Sequence, residues 1–232
     1  MRYWWLVGGG LALAAVIALF GFGVLFAWLP RARPESPLGQ AAVTGSVEEL
    51  RRQVNLRGGA DGVDGKDARG FTALDWAART GRTDAIAELV RAGADPELHD
   101  SGPNGWTPLL HAVHKGQFGS VRALLAAGAA VDGRGDNGVT PLMQAAAQGE
   151  PKIVEELLRA GADPRLRGPI GWTVLEQAVA NGHPDVVDAL LRKDPGLRLG
   201  TSPKVWVVRA LAWAQGRSNL LARIDRGREA TR

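Results

Sequence analysis

The 232 residues contain no cysteine, which rules out disulfides, thiolate metal sites and a cysteine nucleophile. The same absence is compatible with the cytosol and with an oxidising compartment. No phosphate-cradling G-x-x-x-x-G-K occurs, and neither G-x-S-x-G nor H-E-x-x-H is present. Charge of one sign is also lacking over most of the chain. Residues 1–196 hold 20 Lys/Arg against 22 Asp/Glu, so the formal net charge of +4 belongs to the C-terminal end. There Arg198, Lys204, Arg209, Arg217, Arg223, Arg226, Arg228 and Arg232 face only Asp225 and Glu229. A nucleic-acid partner for the whole chain has no support in this distribution. The basic end reads as a solvated helix face with a frayed tail, or as a contact for anionic lipid or an acidic partner.

What the chain does have begins with an uncharged run of 26 residues, Trp4 to Leu29. As a helix it would reach about 39 Å, more than the ~30 Å of a hydrocarbon core. Tyr3, Trp4 and Trp5 at one end and Trp28 at the other form the pattern of interfacial aromatics. The run is too long for a signal-peptide core, and Ala27-Trp28-Leu29-Pro30 is a poor cleavage site. Residues 1–30 are therefore expected to be a retained transmembrane anchor, with the membrane contacted through residues 4–29. Gly10, Ala14 and Ala18 recur every fourth residue, a stripe on which two such helices could pack as a homodimer. Arg2 and the terminal amine oppose Arg31 and Arg33 in orientation. The C-terminal domain is placed on the exported, periplasmic side because N-terminal anchors with large C-terminal domains more often export them. Residues 31–39 carry two prolines, Pro34 and Pro37, with Pro30 just before, and read as an extended spacer.

The body of the chain repeats. Gly70-Phe71-Thr72-Ala73-Leu74 returns as Gly105-Trp106-Thr107-Pro108-Leu109, Gly138-Val139-Thr140-Pro141-Leu142 and Gly171-Trp172-Thr173-Val174-Leu175. The threonines are 35, 33 and 33 residues apart. Each is followed by Ala-x-x-x-Gly and then by an apolar helical segment such as Ile153-Val154-Glu155-Glu156-Leu157-Leu158. Three of these segments close in Gly-Ala. A threonine can cap the first helix while proline takes its first position, where a missing N–H costs nothing. Glycine permits a left-handed turn at a helix end. One such hairpin cannot bury its apolar face alone, whereas stacked neighbours can. The expected core is Leu74, Ile86, Leu89, Leu109, Val121, Leu124, Leu142, Val154, Leu157, Leu175, Val187 and Leu190.

These residues resemble the ankyrin repeat, whose signature is G-x-T-P-L-x-x-A followed by a glycine, an apolar second helix and Gly-Ala-Asp. The resemblance implies an all-α ankyrin-repeat solenoid of about five repeats plus a degenerate C-terminal cap, in an anchored protein of bacterial type. The domain is expected over residues 40–225, with a basic tail at 226–232. Ala41 to Leu50 would be a first repeat lacking its Thr-Pro start. Ala212 to Gly216 would open the cap, with Trp206 and Trp213 as core aromatics covering the last repeat.

Little in this pattern supports catalysis or a cofactor. His111 and His114 stand close enough to share a metal, but no third ligand has a recognisable spacing. Asp61, Asp64 and Asp67 lack the alternation of a calcium loop, and Glu155 and Glu156 point to different helix faces. The resemblance implies instead a protein partner, gripped by the turn tips and the exposed side of the first helices. Carried onto this sequence, those positions are Phe71, Trp106 and Trp172 after the motif glycines, with Val139 between them. Arg69, Asn104, Asn137 and Ile170 precede those glycines. Arg79, Thr80, His114, Lys115, Gln148 and Asn181 end the first helices. The expected function is a membrane-tethered scaffold or adaptor that binds a protein on its concave face. A structural or protective envelope component supporting a neighbouring enzyme is the alternative, as is membrane-surface binding by the basic C-terminal end.

Overall fold

The computed structural model describes residues 36–57, 60–199 and 203–214, together with positions 216, 219, 221, 222 and 224. Pro34–Arg232 make up one compact unit. Its elements are α1 (Pro37–Thr44), α2 (Val47–Arg57), α3 (Ala60–Val63), α4 (Ala73–Thr80), α5 (Thr83–Arg91) and α6 (Pro108–His114). They continue with α7 (Phe118–Ala126), α8 (Pro141–Gln148), α9 (Pro151–Arg159), α10 (Val174–Asn181), α11 (Pro184–Lys193) and α12 (Pro203–Ala214). Among the described residues there is no strand, only one isolated antiparallel bridge between Arg167 and Thr173.

Two rows of helices lie side by side. The inner row runs α1, α4, α6, α8, α10, α12, and the outer row runs α2, α5, α7, α9, α11. Each helix packs on its own partner and on the same helix of the next unit, which is the arrangement of an ankyrin-repeat stack. The described residues hold five such pairs and a closing inner helix, matching the expected five repeats and cap.

The inner helices start as the threonines require. Thr72, Thr107, Thr140 and Thr173 each accept the backbone N–H three residues on, and Thr72 and Thr173 complete reciprocal capping boxes with Asp75 and Glu176. Each such cap contributes about 1 kcal/mol. Gly81 ends α4 at φ 81°, where a side chain would be strained, and a Cβ there would meet Gln117 Oε1 at 2.5 Å. On α9, Ile153, Val154, Leu157 and Leu158 are buried while Lys152, Glu155 and Arg159 are exposed. All twelve expected core residues are buried.

Several expectations need correction. The first repeat does not lack a cap: Ser36 accepts Gly39 N at 2.9 Å and Pro37 occupies the first turn, so Ser-Pro-Leu replaces Thr-Pro-Leu. The expected spacer thus gives way to helix at Pro37. Trp206 and Trp213 are not core aromatics. They are 67% and 76% exposed, while Val208 and Ala212 face inward. Trp206 lies 34 residues after Trp172, and Arg209 stands at the position of the buried Leu175. That face of α12 is the one an internal repeat turns to its successor, and among the described residues no further helix covers it.

The expected span at 4–29, its homodimer stripe and the basic tail at 226–232 lie outside the described residues. Among the described residues, no helix is long and apolar enough to cross a membrane. The longest, α12, has 12 residues, about 18 Å against the ~30 Å of a hydrocarbon core. The expectation of a single-pass membrane protein with an exported domain is corrected accordingly. Neither the anchor nor the homodimer is carried further.

Two measurements check this account. Leu157→Ala removes a fully buried side chain and is expected to cost about 2–5 kcal/mol in chemical denaturation. A loss below about 1 kcal/mol would contradict the packing. The second concerns Asp75, buried inside its capping box, whose carboxyl burial pushes up from 3.8 to about 7 despite the bonds from Thr72. The native state holds that proton more tightly than the unfolded chain does. The stability it contributes is complete below pH 3.8 and lost as the pH rises to about 7. Asp75→Asn stays neutral throughout, so its stability relative to the wild type should improve between about pH 4.5 and 7.5. Urea denaturation at both values measures this, and a difference independent of pH would refute the burial argument.

Candidate functional site

The turn before each inner helix closes by a recurring backbone bond. Asp67 N donates to Phe71 O, Gly135 N to Val139 O and Gly168 N to Trp172 O, each spanning four residues. In the third repeat Asp100 N reaches Trp106 O across six residues. Those two extra residues account for the threonine spacing of 35 in place of 33. The tips also join one repeat to the next, Ser101 N donating to Gly70 O and Asp136 N to Gly105 O. Gly105, at φ 50°, is pressed so closely that a Cβ would collide with the Asp136 carboxylate.

Two of these turns carry a carboxylate, and each ties its turn to the inner helix. Asp67 Oδ1 accepts Arg69 N and Phe71 N at 3.0 Å, while its Oδ2 accepts Trp76 Nε1 at 2.9 Å. Asp100 Oδ1 accepts Gly102 N at 2.9 Å and Trp106 N at 3.1 Å, while its Oδ2 takes His111 Nε2 at 2.7 Å. Trp76 and His111 occupy the same place in successive repeats. In the next two repeats glycine stands at the carboxylate position, Gly135 and Gly168, and glutamine at the aromatic one, Gln144 and Gln177. The arrangement is therefore particular to the second and third repeats.

Arg79 joins the two. Its Nη1 lies 3.2 Å from His111 Nδ1, and its guanidinium lies over the Phe71 ring at 4.7 Å and the Trp76 ring at 5.4 Å from the centroids. A guanidinium only donates and a carboxylate only accepts, so His111 holds its proton on Nε2 and is neutral. Burial lowers the pKa of His111, against the hydrogen bond to Asp100 that favours the cation. For Asp100, burial pulls the carboxyl upward, but the bonds from His111, Gly102 and Trp106 outweigh it and hold the pKa below its ordinary value. Phe71 meets Trp76 and His111 edge to face, both at 5.2 Å, and Trp106 meets His111 edge to face at 5.4 Å and His114 at a tilt at 4.8 Å. The indole N–H of Trp106 is buried without a hydrogen-bond partner.

Five of the expected site residues thus converge: Phe71, Arg79, Trp106, His114 and Lys115. Burial and the Arg79 charge depress the pKa of Lys115; burial and the charges of Lys115 and Arg79 do so at His114. The remaining residues take other places, Arg69 and Gln148 at the border of this cluster. Trp172 is half-buried and packs against the core. Asn104 and Asn137 bond to each other along the tips at 3.3 Å. Gln148 Nε2 is engaged by His114 O at 2.9 Å, and Asn181 Nδ2 by Ala147 O at 3.2 Å, so both serve as inter-repeat ties. Arg69, Thr80, Gln148, Ile170 and Asn181 are exposed.

Trp76, His111, Asp67 and Asp100 complete the cluster and are absent from the expected set. For Trp76 and His111 the signal lay one helical turn before Arg79 and His114, at the i−3 positions, while Asp67 and Asp100 stand in the turns ahead of the inner helices. Asp64, considered as a calcium ligand, instead accepts Asp95 N at 3.1 Å and braces the next repeat, as Asp132 does for Asp163 N. Among the described residues, no group of three or more His, Cys, Asp or Glu is placed to hold a metal ion. Both nitrogens of His111 are occupied by Asp100 and Arg79, so it cannot take a substrate proton without breaking one of these bonds. The cluster offers rings and cations for recognition.

Sequence models of the ankyrin repeat match this chain in three places: a three-copy model at residues 87–168 and single repeats at 69–101 and 171–199. The chain is also similar to the glycerophosphocholine phosphodiesterase gde1 of Schizosaccharomyces pombe, 41% identical over 66 residues, which are 28% of this chain and 6% of that protein. It is similar as well to the human DNA-binding protein RFXANK, 34% identical over 70 residues, 30% of this chain and 26% of that protein. The chain spans far less than two thirds of either relative. The pair α1/α2 and helix α12, outside the matched residues, are the first and last elements of the described stack, where repeats are expected to be atypical. With the same capped helix pair recurring through the matched region, the chain belongs to the ankyrin-repeat family, whose repeats are protein–protein interaction modules.

Proposed function

We propose that this chain is a scaffold or adaptor whose protein partner docks on the inner side of the second and third repeats. The observation that supports this reading is the joined cluster of Phe71, Trp76, Arg79, Trp106, His111 and His114 on neighbouring inner helices and turns. Aromatic side chains with arginine are the usual composition of binding hot spots. Two carboxylates, Asp67 and Asp100, pre-position the rings of Trp76 and His111, which reduces the ordering cost of binding. The proposed contacts are Phe71, Trp106, Arg79, His114 and Lys115, with Arg69 and Asn104 at the rim. Asn137, Gln148, Asn181 and Trp172 extend along the stack as secondary contacts.

Chemical cross-linking in cells, followed by identification of the captured protein, tests the proposal. Trp106→Ala is expected to weaken capture by about 2 kcal/mol or more. Trp172→Ala, whose ring packs on the core, should lower the melting temperature and change affinity per folded molecule little. Lost stability with retained capture for both variants would remove the docking face from the second and third repeats.

A further inference from the structure

Arg79 is a half-buried cation whose charge is incompletely answered. A guanidinium carries five N–H donors, and among the described residues only Nη1 is engaged, by His111. Two carboxylates act on it favourably, Asp75 and Asp100. Asp75 is buried in the capping box with Thr72 and is pushed up to about 7, so near neutrality its charge is partial. Asp100 is committed to His111 and to the backbone N–H groups of Gly102 and Trp106. On the cationic side, Arg69 and Arg79 act on each other unfavourably, as do Arg79 and Lys115. Lys115 is exposed, and neither it nor Arg79 forms an ion pair among the described residues. Arg79 and Lys115 are thus two neighbouring cations without an ion pair among the described residues, beside the ring of Phe71 and the ring of Trp106 that meets His111.

We infer that the inner side of the second and third repeats is a receptor for an acidic peptide: an Asp or Glu of the partner takes the unengaged donors of Arg79, with Lys115 alongside, while an adjoining apolar side chain lies against Phe71 and Trp106. This rests on the docking face proposed above and names the chemistry it reads. A guanidinium offers a carboxylate two parallel bonds, and the bond to His111 with the rings at 4.7 and 5.4 Å holds it oriented before binding. The fixed carboxylates Asp67 and Asp100 nearby disfavour an extended polyanion such as a nucleic acid, so the patch suits a single acidic side chain.

A randomised peptide library displayed on phage and selected on the full-length chain tests the inference. The wild-type pool should be enriched in Asp or Glu at one position beside an apolar residue. A synthesised winner should bind about tenfold more weakly when its acid is replaced by the amide. On Arg79→Gln, with helical circular dichroism unchanged, that same replacement should alter affinity by less than about twofold, as a double-mutant cycle requires for a direct contact. If Arg79→Gln does not fold, Lys115→Ala on an exposed side chain carries the comparison, with the acid preference reduced about threefold and most of the remainder lost at high salt. An acid preference absent from the wild-type pool, or undiminished in the folded variant, overturns the carboxylate assignment and leaves the docking face standing. Peptides bound equally well by Phe71→Ala and Trp106→Ala, or no enriched peptide at all, would overturn the docking face and this inference together.

Discussion

Leu157 and Leu158 cannot be covered within their own helix pair. They are buried because α7 and α11 lie on either side of α9, and the same is true of each internal unit in turn. Burying such a side chain is worth about 1.5–3 kcal/mol, and in a stack that gain exists only at the contact between neighbours. The remaining features keep this contact in register. Threonine caps start every internal inner helix at the same height, left-handed glycines end them, and tip-to-tip backbone bonds hold successive turns together.

A stack built this way presents a row of equivalent positions on its inner side, and local differences along the row make a site. At the second and third repeats the turn carries an aspartate, and the inner helix answers it with Trp76 or His111. At the fourth and fifth repeats the aspartate is glycine and the aromatic position is glutamine. Arg79 then connects the two equipped repeats, because its position meets the neighbouring His111 across the interface between α4 and α6. One carboxylate per turn therefore changes a structural row into a pre-organised cluster of rings and cations. The same physics explains why Gln148 and Asn181, on the same row, serve as braces. Their amides bond the carbonyls of the preceding repeat, His114 O and Ala147 O.

The ends of the stack follow a different rule. Ser36 and Pro37 start α1 with the chemistry that threonine and proline provide elsewhere, and this was missed because the motif was sought as threonine. Trp206 and Trp213 were expected inside as aromatics covering the last repeat, but among the described residues no helix lies beyond α12 to cover that face. Whether an apolar position is covered depends on the next unit's presence, which the position itself does not encode.

Spacing, caps and periodicity in the chain alone settled the ankyrin-like helix pairs, their number and twelve buried core residues, because each of these is set by contacts within about one repeat length. The resemblance to the ankyrin repeat placed Phe71, Arg79, Trp106, His114 and Lys115 among the expected contact positions. Only the tertiary structure decided which side chains meet, since Arg79 and His111 are 32 residues apart and touch because their repeats stack. It likewise separated Trp106, resting on two histidines, from Trp172, resting on the core, although the two occupy the same motif position. Motif position fixes where a side chain leaves the backbone, and its neighbours across the repeat interface decide what it can bind.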